Sequence, residues 1–330
     1  MLAVWCGNLV QTLIEKRMIV KEKIGRLFFD LIKGDCLIES DKIESGSVDL
    51  ILTDLPYGTV KDLGNSETIK HGMKGKTEWD SVIDTDKIMQ IANRILRRNG
   101  KMILTAQQPF TNELINKSNK NLPFNYSMIW EKDHFANALT AKKAPLNYYE
   151  DVLVFSKKYD TEKNPIQIYL LDEFKKCGEP ISFYKELCGF TGNQPYNWFS
   201  PKNDGTKQWA FPIKKHYEKL SVTGYFLKPF EEIEEMDLKY RATFNLWEGN
   251  KCKSNILKYK KDYTGHHPTQ KPVLLLEDLI KTFSNENDLV VDLTMGSGST
   301  GVACKNTGRN FIGIEKDPQY YAVAVARVDG

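Results

Sequence analysis

Asp54-Leu55-Pro56-Tyr57-Gly58 sets an acid and an aromatic ring together at the end of the apolar run Val48–Thr53. That run reads as a buried parallel strand, and Pro56 and Gly58 turn the chain out of it. Open α/β sheets hold their ligand sites at the carboxyl ends of strands. A carboxylate there can accept a hydrogen bond from an exocyclic amine while the tyrosine stacks on the ring that carries it. The same five residues also suit a plain strand-ending turn, since Pro and Gly punctuate loops generally.

A second constellation lies towards the C-terminus. Asp288–Leu293 reads as a buried strand, and Thr294-Met295-Gly296-Ser297-Gly298-Ser299-Thr300-Gly301 as a glycine turn into a helix, Val302–Asn306. Phe311–Ile314 reads as a second strand that ends at Glu315. Glycines let a backbone approach a ligand closely, and an acid after the second strand accepts hydrogen bonds from ribose hydroxyls. Gly296, Gly298 and Gly301 also fit GxGxxG, a pattern a nicotinamide enzyme would share. Asp35 follows a strand at 27–32 and is placed for a ribose or an adenine amine; as N-cap of a helix, Leu37–Ile43, it needs no ligand.

His267-Pro268-Thr269-Gln270-Lys271-Pro272 opens an amphipathic helix, Val273–Phe283, with Thr269 as N-cap and Pro272 in the first turn. A cation at a helix start opposes the macrodipole, so Lys271 serves a carboxylate or phosphate better than it serves the helix. Lys251, Lys253, Lys258, Lys260 and Lys261, with Tyr259 and Tyr263 interleaved, form a basic run leading into that motif. Solvation is the ordinary fate of such a run; here it is also read as phosphate contact.

The elements that position these groups follow from period and punctuation. Asp84–Leu96 has helical spacing and stops at Arg97-Arg98-Asn99-Gly100. Lys101–Thr105, Asn125–Trp130 and Asp151–Phe155 read as strands, and Pro318–Val328 as a closing helix. This alternation predicts a doubly wound parallel sheet. Thr59–Thr77 is a long polar loop, read as a lid or substrate-contact loop. From 156 to 262 the alternation gives way to polar, helical sequence. Within it, Ile181–Phe199 has the spacing of a helix-turn-helix, which simple packing of a helical hairpin would share. Gln208–Leu220 reads as a helix with Pro212 in its first turn, and Glu231–Glu235 as a solvated acidic face. Residues 1–24 carry no motif; Leu9–Ile24 could form a short helix, or the segment could precede a start at Met18.

Composition sets outer limits. The 330 residues are 41% hydrophobic and 27% charged, an ordinary globular balance. A net charge of +3 permits a nucleic-acid partner only through local concentration of cations. The six cysteines are scattered without a CxxC pair and the histidines lack metal-ligand spacing, so reduced thiols and no zinc site are expected. No apolar stretch is long enough to span a membrane, and residues 1–14 lack a basic n-region.

Taken together, the motifs resemble the β class of DNA amino-methyltransferases, in which the (D/N/S)PPY motif precedes the recognition region and the cofactor half comes last. Asp54-Leu55-Pro56-Tyr57 matches the first motif, 156–262 the recognition region, and His267–Pro272 with Asp292–Gly298 the cofactor motifs. The resemblance implies a circularly permuted, Rossmann-like S-adenosylmethionine-dependent α/β fold. Its parts would be an N-terminal extension (1–24), a catalytic half (25–155), a mostly helical insert (156–262, phage-type in character) and a cofactor half (263–330). It further implies that Asp54 and the Leu55 carbonyl accept the protons of the target amine, with Pro56 shaping the turn and Tyr57 stacking on a flipped base. Asp35, Thr269, Lys271, Asp292, Thr294, Gly296, Ser297, Gly298, Ser299 and Glu315 would surround S-adenosylmethionine, with Lys271 and Thr269 at its carboxylate. Lys251, Lys253, Lys258, Gln194 and Asn197 would contact double-stranded DNA. Leu55 departs from the usual proline but keeps the carbonyl that acts there.

The implied activity is methylation of adenine N6, since an initial Asp leans that way in the family, with N4-cytosine as the alternative. A cytoplasmic, nucleoid-associated enzyme of bacterial or phage origin is implied, with a homodimer and a cognate restriction enzyme left open. A nicotinamide oxidoreductase, a non-catalytic DNA-binding protein and a methylase of RNA or protein are the rival readings.

Overall fold

The computed structural model describes residues 27–57, 83–136, 142–158, 165–191, 195–199, 210–238, 240–246, 249, 251–262 and 270–330. The readings placed on 1–24, Thr59–Thr77, Gln194, His267 and Thr269 lie outside these residues.

In chain order the elements are β1 (Phe29–Lys33), α1 (Cys36–Glu39), β2 (Val48–Thr53), α2 (Thr85–Ile95), β3 (Leu96–Ala106), α3 (Phe110–Asn116), β4 (Phe124–Ala136) and β5 (Asn147–Ser156). The helical insert contributes α4 (Pro165–Cys177), α5 (Ile181–Cys188), α6 (Lys214–Ser221) and α7 (Phe230–Leu238). The chain closes with β6 (Ile256–Lys258), α8 (Val273–Phe283), β7 (Leu289–Asp292), α9 (Ser299–Thr307), β8 (Asn310–Glu315) and α10 (Pro318–Asp329). The strands form one mixed sheet in the order β1-β8-β7-β2-β3-β5-β4-β6. Among the described residues no helix is long and apolar enough to cross a membrane.

The sheet is central because its strands are apolar on both faces, and alternate residues feed separate cores. Ile51 packs with Ile88, Ile95, Met102 and Phe155 on the face covered by α2 and α3. Leu50 and Leu52 pack with Leu279, Phe283 and Phe311 on the face covered by α8 and α9. Each such side chain, fully buried, contributes on the order of 1.5–3 kcal/mol. The register brings β7 beside β2, Leu50 opposite Val290 and Ile51 opposite Val291. The carboxyl ends of these two strands therefore meet at one edge, although they lie far apart in sequence.

Several elements differ from the sequence expectation. The sheet is not wholly parallel: β5 runs antiparallel to both β3 and β4. β4 and β5 form a hairpin, and a connection that short cannot make a parallel crossover. α2 ends at Ile95, and Arg97–Asn99 lie within β3 as an irregular stretch between the Val48–Leu96 and Leu50–Lys101 pairings. Arg97 is held there by a buried ion pair with Asp49.

In the insert, Ile181–Phe199 begins as expected with α5 and a left-handed Gly189, but residues 195–198 form a turn and not a second helix. Trp198 and Phe199 are buried with Tyr184, Tyr217 and Phe226 in an aromatic core, so that face packs inward. α6 begins at Lys214, not Gln208, and Pro212 lies outside it. Ile256–Lys258 pairs with β4 and belongs to the sheet edge. α9 starts at Ser299, immediately after a left-handed Gly298, three residues earlier than its helical pattern suggests.

Candidate active site

The geometry centres on Asp54, just beyond β2. Its Oδ1 accepts hydrogen bonds from the Tyr57 hydroxyl (2.8 Å) and the Thr105 hydroxyl, and its Oδ2 accepts from Lys271 Nζ (2.5 Å). Thr105 comes from β3, the next strand, and Lys271 from the approach to α8. Leu55 is buried in the core, which fixes the turn where a proline is missing. Tyr57 is half-buried, its ring 5.5 Å from Phe110 and 5.8 Å from Lys271 Nζ. Burial, and after it the Asp54 charge, push the Tyr57 phenol well above its usual range, so it donates as a neutral hydroxyl.

The glycine turn follows β7 and is bonded directly to this centre. Thr294 Oγ1 donates to the Asp54 carbonyl (2.9 Å) and lies 2.8 Å from Thr53 Oγ1. Thr53 donates to Asp292 Oδ1 (2.7 Å), which also accepts from Thr294 N–H (3.1 Å), and Thr300 donates to Asp292 Oδ2 (2.6 Å). Asp292 thus orders the turn from within. Burial raises its pKa to about 6 against the lowering effect of these donors.

Glu315, ending β8, accepts from Gly296 N–H (2.9 Å) through Oε2 and from Asp317 N–H (2.7 Å) through Oε1. Burial raises its pKa, and those amides oppose the rise. Asp35 caps α1 by accepting from Leu37 N–H (3.0 Å) and also pairs with Lys316 (3.0 Å). Burial works against its charge, but the Lys316 and Leu37 hydrogen bonds prevail and its pKa is lowered. Ser297 and Ser299 hydroxyls both receive Arg327 from α10, at 3.0 and 3.2 Å.

The structure redistributes some of the expected roles. Lys271 was expected at a ligand carboxylate; it instead meets a protein carboxylate, Asp54, and lies 3.2 Å from Glu150. The cap expected from Thr269 is supplied by Asp262, whose Oδ2 accepts from Val273 N–H (3.0 Å), with Pro272 at the N-cap position and not in the first turn. Lys253, expected on phosphate, is turned inward onto buried Asp278, which also accepts from the Tyr259 hydroxyl (2.9 Å). Lys258 stays exposed beside Glu131 (3.3 Å), and Lys251 is exposed. Asn197 is partly buried in the turn of the insert.

Sequence reasoning missed Thr105, Glu150 and Lys132. Glu150 on β5 accepts from Lys132 on β4 (3.0 Å), and both are buried. No local signal marked them: Lys132 stands between Glu131 and Asp133 on β4 and Glu150 beside Asp151 on β5, and only the packing shows that this pair is the buried one.

Comparison with known proteins gives the family and the fold. The profile of a family described as DNA methylase (N6_N4_Mtase) matches residues 48–326. The chain is 26% identical to the DNA adenine methyltransferase YhdJ of Escherichia coli (strain K12), covering 91% of this chain and 82% of that one. It is 24% identical to the type II methyltransferase M.HindIII of Haemophilus influenzae, covering 90% and 94%. Among solved structures, the M1.HpyAVI–SAM complex superposes with a TM-score of 0.50 at 19% identity, covering 92% of this chain and all of that one, a likeness of fold.

Proposed function

The chain belongs to the DNA methylase family, and from that premise we propose that it transfers a methyl group from S-adenosylmethionine to the N6 amine of adenine in double-stranded DNA. The observation that carries the reading is the Thr294 bond to the Asp54 carbonyl, which joins the Asp54–Tyr57 turn to the glycine turn. A nicotinamide enzyme would leave the first turn without a role.

The carboxyl edge suits the cofactor. Asp35 follows β1, Glu315 ends the neighbouring β8, and the two supply acceptors for hydroxyls and an adenine amine. Gly296 and Gly298 have positive φ and carry no side chains, which leaves room for the amino-acid part beside Thr294, Ser297 and Ser299. Bound there, S-adenosylmethionine supplies an electrophilic methyl group on sulfur.

The chain's own residues act on the other partner. An aromatic amine is a poor nucleophile because its lone pair is delocalised into the ring. Asp54 and the Leu55 carbonyl accept its two hydrogens, which favours a tetrahedral nitrogen and frees the lone pair for in-line attack. Tyr57, held through its hydroxyl by Asp54, presents its ring to a base flipped from the duplex. The initial Asp, and the name of the Escherichia coli relative, support adenine over cytosine. Residues 156–262 are assigned to target recognition, with exposed Lys251 and Lys258 on phosphates.

The test is methyl transfer from labelled S-adenosylmethionine to unmethylated duplex DNA, with nucleoside mass spectrometry and an Asp54→Ala variant alongside. N6-methyladenine from the wild type and none from the variant is expected. N4-methylcytosine alone would overturn the target atom, and no label in DNA would overturn the substrate.

A further inference from the structure

Four charged side chains form a neutral cluster at the turn: Asp54, Lys271, Glu150 and Lys132, 27%, 8%, 10% and 2% exposed. Buried charges of this kind persist only when paired. Lys271 Nζ has two carboxylates in reach, Asp54 Oδ2 at 2.5 Å and Glu150 Oε2 at 3.2 Å. They are used differently. The contact to Asp54 is a hydrogen bond, whereas buried Glu150 Oε2 makes none and meets Lys271 only at ion-pair distance. Glu150 Oε1 is occupied, by Lys132 (3.0 Å) and Gln107 Nε2 (3.3 Å).

Both oxygens of Asp54 are taken: Tyr57 and Thr105 on Oδ1, Lys271 on Oδ2. If Asp54 accepts the amine of the target base, the reading on which this inference rests, the amine meets Oδ2, the oxygen carrying a single donor, and there competes with the Lys271 ammonium for the carboxylate's charge. We propose that Glu150 is a positioning residue for methyl transfer, receiving the Lys271 ammonium on Oε2 when the base amine takes its place on Asp54 Oδ2. The move needs only a small turn of a flexible side chain with three donors. The cluster stays neutral throughout, so no unpaired charge is created in a buried site. Lys132 keeps the receiving carboxylate ready: burial opposes the charge of Glu150, and the two lysines outweigh it. Without Glu150, Lys271 has one carboxylate only and stays on it.

The inference is tested by single-turnover methyl transfer to duplex DNA at saturating S-adenosylmethionine, the binding of which is measured separately by calorimetry. The variants are E150Q, K132M/E150Q and K132M/E150Q/K271M. K132M/E150Q removes one charge of each sign, so the cluster remains neutral and folding is spared even if E150Q alone misfolds. K132M/E150Q is expected to lose about tenfold to a hundredfold in rate, the worth of one charge-assisted hydrogen bond, with DNA affinity retained. Adding K271M leaves Asp54, the most exposed of the four, as the one charge of the cluster and is expected to recover about tenfold, because it clears Oδ2. A structural role for Glu150 predicts no such recovery, and that result would overturn the proposal. So would a wild-type rate in K132M/E150Q, which leaves the DNA reading standing. A wild type that transfers nothing to DNA removes the reading and the inference together.

Discussion

Asp292 offers a test in which both sign and size follow from the structure. Its carboxylate is 4% exposed and serves three donors of the glycine turn and β2. Burial raises its pKa from 3.8 to about 6. The folded chain therefore binds more protons here than the unfolded chain between those values, so stability falls as pH rises through that window. The gap from 3.8 to about 6 corresponds to about 3 kcal/mol of destabilisation once the group is fully ionised. Between about pH 5 and about pH 7.5 the linkage relation leaves about 1.4 kcal/mol of that still to appear.

Asp292→Asn removes the titration. Its amide oxygen can still accept from Thr53 and from Thr294 N–H, and its NH2 can donate to Thr300, whose hydroxyl can turn to accept. One imperfect exchange costs about 1 kcal/mol. The stability of Asp292→Asn relative to wild type should then rise by about 1.4 kcal/mol from about pH 5 to about pH 7.5, whatever its absolute value. Urea unfolding of the ligand-free proteins at both pH values measures this difference, and titrations shared by the two chains cancel. A difference that is independent of pH, or that grows as pH falls, would refute the argument that burial governs this carboxyl.

Three other substitutions probe packing and the DNA surface. Gly298 has φ +79° and a Cβ there would lie 3.0 Å from both Cα and Cβ of Ala324, so Gly298→Ala should cost about 1–3 kcal/mol; an unchanged urea midpoint would contradict it. Lys253→Ala should cost about 2–4 kcal/mol by removing the ammonium that pairs with buried Asp278. It should leave the salt dependence of DNA binding unchanged, whereas Lys258→Ala should reduce the slope by about one. A stable Lys253→Ala protein with a flattened slope would return Lys253 to the phosphates.

The division between what was legible in the sequence and what was not follows the range of the interactions. Asp54–Tyr57 at the end of a strand, and the Gly296–Gly298 turn between β7 and α9, were readable because glycine, proline and hydrophobic period act on neighbouring residues. Asp35 as the cap of α1 is likewise local, an acceptor two residues from its donor. Their order along the chain was sufficient to resemble a family, and the family match agrees. The antiparallel run of β5, the inward turn of Trp198 and Phe199, and the turn at 195–198 where a helix was expected depended on packing partners elsewhere in the chain. The site itself divides in the same way. Sequence placed a cation at Lys271 but not its partner, because Asp54 lies 217 residues away and only the pairing of β2 with β3 and β7 brings them together. Glu150 and Lys132 were invisible for the same reason. A charged side chain within a strand has no local signature of burial, and whether it is solvated or paired in the interior is decided when the sheet closes over it.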